Sequence, residues 1–462
     1  MSKRFRECSL EQPYLLPPSL QDWLPDDHLA RFVADVVHSL DLRAILAVYD
    51  RKDGRGLAAY HPEMLTRLLL YAYAMGRTSS RAIERATYDD VAFRYLAADR
   101  HPDHDTIATF RRAHLDALAN LFFEVLRLCQ RAGLVKLGHV AIDGTKIKAN
   151  ASASRSMRYQ KIREEEQRLL QTVSKLLAEA ERVDEEEDAK FGKGEREHAL
   201  PPELRTAASR IERLRKAQRE LEEEAAEQAE QARREAEPYA RRVGRPRKTD
   251  PPPELDAAQR RVLYNRAKRL RLRAAQPERH YNFTDPGSRM MWDNGIKSRV
   301  QGYNAQLAVD SAAQIVVAAD VTGHTTDHYQ LVPMVEQVRA TMGAMPECVT
   351  ADAGYWHTQH LLDARLAGTN LLVPPEGIKK GRRLTSALAT TMRAKLGEAA
   401  NRALYKLRST TVEPVIGHIK EARGIRRFRL RGLAGVRGEW SLICATHNLL
   451  KLFRHQNGLL PA

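Results

Sequence analysis

Leu137–Asn150 reads LGHVAIDGTKIKAN, and Glu347–Tyr355 reads ECVTADAGY. In each, a short run suited to a buried strand (Val140-Ala141-Ile142; Cys348-Val349-Thr350) leads to an acid, Asp143 or Asp352, with a glycine close behind. Such runs predict strands, and Asp143-Gly144 predicts a turn that closes the first of them. Adjacent strand ends of one sheet can bring two carboxylates close together. That is the setting in which Mg²⁺ is held by one or two carboxylates and substrate phosphates. Taken alone, an Asp-Gly pair is far more often a turn than a ligand, so the rest of the chain has to decide.

Downstream the pattern is α/β. GYNAQLAVD (302–310) and QIVVAADVTG (314–323) are two β-rich runs joined at Ser311 to Ala313, which predicts a hairpin. Residues 327–342 have a helical period, HTQHLLDARLAG predicts a helix closed by Gly368, and NLLVPP predicts another strand. STTVEPVIGHIKEARG predicts a helix capped near Ser409 or Thr410 and stopped by Gly424. A mixed sheet covered by helices fits this order.

The last of these helices carries a third acid, Glu413. Lys420 follows it by seven residues, two turns along on the same face; Tyr405 and Arg408 precede the helix. Between Lys406 and Arg431 there are eight Lys/Arg and two Asp/Glu. Three carboxylates flanked by phosphate-binding cations describe a nuclease-like site. Each assignment has a plainer reading. Asp352 also suits a cap, Glu413 also suits the dipole at a helix start, and Asp310, Asp320 and Asp327 are rival acids near strand ends.

Upstream, residues 1–135 read as helical, with apolar residues at three and four spacing in LARFVADVV, MLTRLLLYAYAMG and LANLFFEVLRLC. From 155 to 280 the chain turns charged and poor in aromatics. There Ile162, Leu169, Leu176 and Val183 recur every seven residues, and Leu204, Ile211, Leu214 and Leu221 continue the repeat beyond Pro201-Pro202. These runs predict a coiled-coil-like helical hairpin; a solvated linker helix competes, because Glu166 and Gln218 sit on the seam. The expected organisation is a helical domain over 1–135 and a catalytic domain over 136–462, interrupted by the insert 155–280.

The chain of 462 residues holds 75 Lys/Arg against 59 Asp/Glu, a formal net charge of +16. Arg241 to His280 alone carries thirteen Lys/Arg and four Asp/Glu. An excess so concentrated favours a polyanionic partner, since each cation set against a phosphate releases a condensed counterion. The four cysteines are scattered without zinc or disulfide spacing. No apolar run is long enough to span a bilayer, and MSKRFRECSLEQ lacks the apolar core of a secretion signal. A cytoplasmic protein without a membrane partner is expected.

VAIDGTKIKANAS, GYNAQLAVD, VTADAGYW and YKLRSTTVEPVIGHIKEARG together resemble the DDE transposases of bacterial insertion sequences, and residues 60–114 resemble the helical N-terminal domain of that group. The resemblance implies an RNase H-like core, with Asp143, Asp352 and Glu413 as catalytic residues that hold two Mg²⁺ (or Mn²⁺) ions. It also implies cleavage at transposon ends, strand transfer into target DNA, and double-stranded DNA as partner, with a homodimer in the synaptic complex. The group's signature runs Tyr, two residues, Arg, three residues, Glu, six residues, Lys; here four residues separate Arg408 from Glu413. Tyr405, Arg408 and Lys420 are the DNA-contacting positions it points to. An RNase H-like nuclease, or an element-derived DNA-binding protein without strand transfer, are the alternatives. Finally, Gly244-Arg245-Pro246-Arg247-Lys248 resembles an AT-hook core, in which Arg245 and Arg247 would enter a narrow minor groove; an exposed basic linker is the competing reading.

Overall fold

A computed structural model describes residues 19–50, 59–191, 202–237, 257–274, 277, 279–293, 295–375 and 387–459. Its strands are β1 (His139–Lys148), β2 (Ser156–Arg158), β3 (His280–Asn282), β4 (Arg289–Asp293), β5 (Ser298–Asp310), β6 (Ile315–Thr322), β7 (Cys348–Ala351) and β8 (Asn370–Leu372). The main sheet has the order β4-β5-β1-β7-β8, and β6 pairs with the far half of β5. β5 runs antiparallel to β1, β4 and β6, whereas β7 lies parallel to β1 and β8 parallel to β7. This is the expected mixed sheet.

The first strand is longer than its sequence predicted. β5 pairs with β1 from Val140 opposite Asp310 to Lys148 opposite Gly302, so the backbone beyond Asp143 finds ladder partners and no turn forms at Gly144. β5 itself is buried almost throughout, as is β6.

Helices α1 (Leu29–Ser39), α2 (Arg43–Asp50), α3 (Pro62–Ala74), α4 (Ser80–Asp89), α5 (Val91–Leu96), α6 (His104–Ala113) and α7 (Leu115–Arg131) precede the sheet. Asp103 caps α6 by accepting from the Thr106 amide at 2.6 Å. In the insert follow α8 (Tyr159–Phe191), α9 (Pro202–Ala236) and α10 (Ala257–Ala274); α11 (Leu331–Met342), α12 (Thr358–Leu361), α13 (Ala387–Gly397), α14 (Ala399–Gly417) and α15 (Leu433–Gln456) complete the set. α15 is the hinge-pin of the packing. Trp440 Nε1 donates to the Gln306 carbonyl at 3.0 Å, and Asn448 bonds both the amide and the carbonyl of Val316. One continuous apolar cluster joins α1–α7, the sheet and α15.

Several polar groups buried in that cluster bond to one another. Glu439 accepts from the amides of Arg429 and Leu430 and from the Tyr73 hydroxyl, which in turn accepts from Arg111. Arg423 donates to the carbonyls of Tyr73 and Ile443 and to Thr446 Oγ1. The Arg423 carbonyl lies so near Gly76 (φ +75) that a Cβ there would stand 2.0 Å from its oxygen, so only glycine allows this approach. Helix α3 is thereby fastened to the segment that follows α14.

The insert leaves and rejoins the body at one place, because β2 and β3 pair with each other, Ser156 opposite Asn282 and Arg158 opposite His280. Beyond this neck α8 and α9 form the expected helical hairpin. Its base is apolar, with Tyr159, Ile162, Leu214, Ala217, Leu221 and Tyr281 in one cluster. Glu166 and Gln218 do meet at the seam, at 2.7 Å, and Arg215 shares the carboxylate. Further out the repeat loosens: Leu176 is exposed. The segment from Gly244 to Lys248, and with it Arg245 and Arg247, lies outside the described residues.

Candidate active site

Parallel pairing aligns Ile142 of β1 with Ala351 of β7. Asp143 and Asp352, one residue further along each strand, therefore stand side by side, about 5 Å apart at the backbone. Asp143 is in mid-strand while Asp352 begins just where β7 ends, and Asp352 also caps the short turn after it by accepting from the Gly354 amide at 2.9 Å.

Glu413 comes from α14, and α14 differs from its sequence reading. It begins at Ala399 rather than near Ser409, and inside it the Ser409 and Thr410 hydroxyls turn back onto the carbonyls of Lys406 and Leu407 and do not cap. Tyr405 and Arg408 therefore lie on the same helix as Glu413. Pro414 has no N–H to give to the Thr410 carbonyl; Gln314 Nε2 supplies the missing donor at 2.9 Å. After Gly417 one π turn, His418–Ala422, carries Lys420, and Gly424 (φ +66) ends the helix.

The side chains meet through Arg408. Its Nη1 stands 2.7 Å from Asp143 Oδ2 and its Nη2 3.4 Å from Glu413 Oε1. Glu413 is 58% exposed, whereas Asp143 is 19% exposed, so the acids run from a half-sunken pair to a rim. Lys420 Nζ sits further along β1, 3.2 Å from Thr145 Oγ1 and 4.0 Å from Asp293 Oδ2. The pairing of Lys148 with Arg427 holds this segment against the end of β1.

Around Asp327 stand four residues that the sequence did not single out, Asn304, Gln306, Lys146 and Tyr355. Asp327 Oδ1 accepts from Asn304 Nδ2 at 2.6 Å and Gln306 Nε2 at 2.7 Å, and Lys146 Nζ approaches it at 3.7 Å. Tyr355, wholly buried, donates its hydroxyl to Gln306 Oε1. Asn304 and Gln306, two residues apart and buried, share one face of β5, and that period-two pair of amides was the readable signal. Of the rival acids, Asp327 belongs here. Asp310 accepts backbone amides of Leu137 and Ala312, and Asp320 pairs with Arg437 at 2.8 Å.

Burial pushes the Asp143 carboxyl up to about 6; Arg408 opposes the rise and Asp352 adds to it. Asp352 is also raised by burial, against the Gly354 amide and with Asp327. Tyr405 is raised by burial, which the nearby Arg408 offsets and Asp352 reinforces. Burial is thus the main reason these groups resist ionisation.

Two family models match the chain: a transposase domain (DUF772) over residues 18–113 and a transposase DDE domain over residues 273–449. The chain belongs to the DDE transposases of insertion-sequence type. No curated protein and no solved structure gives a match. The DDE match takes in Asp352, Tyr405, Arg408, Glu413 and Lys420, while Asp143 falls between the two matched stretches. The strand pairing of β1 with β5 and β7 returns it to the transposase core. No helix among the described residues of this transposase is long and apolar enough to cross a membrane.

Proposed function

We propose that this transposase cuts DNA at the ends of its element and joins the freed ends to target DNA, using Asp143, Asp352 and Glu413. The observation that carries the reading is the side-by-side placement of Asp143 and Asp352, with Arg408 linking the first of them to Glu413.

The donor set suits a hard divalent cation. All three groups are carboxylates, oxygen donors of the kind Mg²⁺ or Mn²⁺ takes, and a cationic guanidinium already lies between two of them. Among the described residues no three His, Cys, Asp or Glu side chains stand ready-made around an ion. Asp143, Asp352 and Glu413 would hold the ions after Arg408 turns aside. Two such ions supply activation of the attacking oxygen and stabilisation of the leaving one.

The chain's own residues do the rest. Arg408 has two N–H groups on one edge, which match a phosphate as well as they match a carboxylate. Lys420 presents a point charge further along β1, and Tyr405 lies beside Arg408 and near the acid pair. These three fix the scissile phosphate so that water, and afterwards a 3′-hydroxyl, meets it in line. Residues 1–135 serve as an end-recognising domain, the active assembly is a homodimer on DNA in the cytoplasm, and Arg245 and Arg247 contribute minor-groove contacts.

Incubation with the element's own ends and Mg²⁺, with products mapped by length, tests this reading. Cut and joined products are expected from the parent protein. Asp143→Asn, Asp352→Asn and Glu413→Gln should bind the ends and yield neither. Substantial cutting by any of the three would remove that residue from the site, and cutting without joined products would make the protein a nuclease.

A further inference from the structure

Helix α10 has seven Lys/Arg and no Asp/Glu in its eighteen residues, AAQRRVLYNRAKRLRLRA. Like charges three and four residues apart weaken a helix, so this composition costs stability in the free protein. The neighbouring hairpin avoids that cost: Arg210 pairs with Glu165, Arg215 with Glu166, and Arg233 and Arg234 with Glu230. On α10, among the described residues, only Arg266 has an acidic partner, Glu235 at 2.8 Å.

The helix has two faces. Arg266, Ala267 and Leu270 are partly covered, and Arg266 lies over the Tyr329 ring at 5.5 Å while holding Glu235 of α9. Tyr329 is two residues from Asp327 and packs against His357 and His360. The covered face of α10 is thus seated between the hairpin and the rim of the carboxylate site. On the opposite face Arg261, Tyr264, Lys268 and Arg271 are exposed, Tyr264 to 61%. Their spacing of three, four and three residues sets them in one row about 15 Å long.

We propose that this row is a track for the DNA backbone, leading the duplex from the helical insert onto the carboxylates; the proposal rests on the DNA reading above. Charge complementarity selects the occupant. A row of cations without acids matches a row of phosphates, each contact releasing a counterion, and an exposed Tyr among them supplies a hydroxyl donor and a flat face for a sugar or base. Seating on Tyr329 and Glu235 fixes the row relative to the site, so the track acts in register with cutting and not merely as a sticky surface. Because its cations face phosphates, it grips without reading sequence.

The test uses the full chain and a duplex carrying the element's end, with affinity measured across a range of salt. The parent should lose affinity steeply as salt rises. In Arg261→Ala/Lys268→Ala/Arg271→Ala the log–log slope should be shallower by about 2.7, for three lost phosphates, and affinity at physiological salt roughly tenfold lower or worse. Arg261→Lys/Arg271→Lys should keep the parent slope, which separates charge from any disturbance of folding. The loss should be equal on end and random duplexes. A triple variant with the parent's slope overturns the track alone, whereas a parent protein that binds no duplex overturns the DNA reading with it.

Discussion

Arg408 is bonded to Asp143 across 265 residues of sequence, Nη1 to Oδ2 at 2.7 Å, and the same guanidinium reaches Glu413. One cation thus spans two carboxylates that a metal would need, with Tyr405 also beside it. A DNA phosphate is an alternative partner of the same geometry. Arrival of DNA would draw Arg408 off Asp143 and open the acids to cations, coupling metal loading to substrate.

Arg408→Gln should therefore bind Mn²⁺ several-fold more tightly than the parent when DNA is absent. It should also cut at least about a hundredfold more slowly, as expected when one preorganised donor to a reacting phosphate is lost. Calorimetric titration and single-turnover cleavage read the two effects separately. Equal Mn²⁺ affinity in both proteins would show that the guanidinium does not compete for the acids.

Gly144 tests the packing next to Asp143. A Cβ at this position would lie 2.5 Å from Gln306 Nε2 and 2.6 Å from Asp327 Oδ1. Both neighbours are held by hydrogen bonds and have little room to give. Gly144→Ala is expected to cost about 1–3 kcal/mol by overpacking and to lower cutting while end binding persists. Gly397→Ala, with nothing within 4 Å of the added carbon, is the control and should change little. Matching urea midpoints for the two variants would refute the close approach.

The adjacency of Asp143 and Asp352 was legible because each follows a short strand-like run, and those two runs pair in the fold. Glu413 could be proposed from its own helical segment. Strand and helix limits were less legible. The continuation of β1 past Gly144 depends on β5, more than 150 residues away, and Ser409 and Thr410, cap-like in sequence, sit inside α14 with their hydroxyls on backbone carbonyls. The contact of Arg408 with Asp143 has no local signal at all. Asp327 could be proposed but not chosen, since its amide partners Asn304 and Gln306 come from another strand.

Glu439 offers a prediction about the body of the fold. It is wholly buried and accepts from two backbone amides and from Tyr73, with Arg111 one bond further on. Removing the carboxylate orphans three donors and leaves the Arg111 charge less compensated. Glu439→Ala should cost roughly 3 kcal/mol or more, because each buried donor left unpaired carries its own desolvation penalty. Glu439→Gln keeps one acceptor oxygen and should cost about half as much. Urea unfolding followed by circular dichroism measures both, and an alanine variant within 1 kcal/mol of the parent would show that water replaces the lost bonds.

The pair His418 and His447 predicts how stability responds to acid. His447 Nε2 lies 3.0 Å from the Gln314 carbonyl, which can only accept, so the ring carries its proton there and its Nδ1 is left as an acceptor. His418 Nδ1 stands 3.3 Å from that atom and donates to it. Adding a proton to His447 would set two N–H groups against each other inside the core. Burial accordingly lowers His418 to about 4, with Arg423, Arg454 and Lys451 acting in the same direction, and holds His447 well below the ordinary histidine value. With both folded values depressed, the unfolded chain binds more protons as pH falls from 6.5 towards about 4, and stability drops across that window. The His418 share is about 1–2 kcal/mol once its partial exposure is allowed for. His447→Gln, which retains a donor for Gln314, should flatten the pH dependence of the urea midpoint between those limits. A variant whose midpoint falls as steeply as the parent's would place the acid sensitivity elsewhere in the protein.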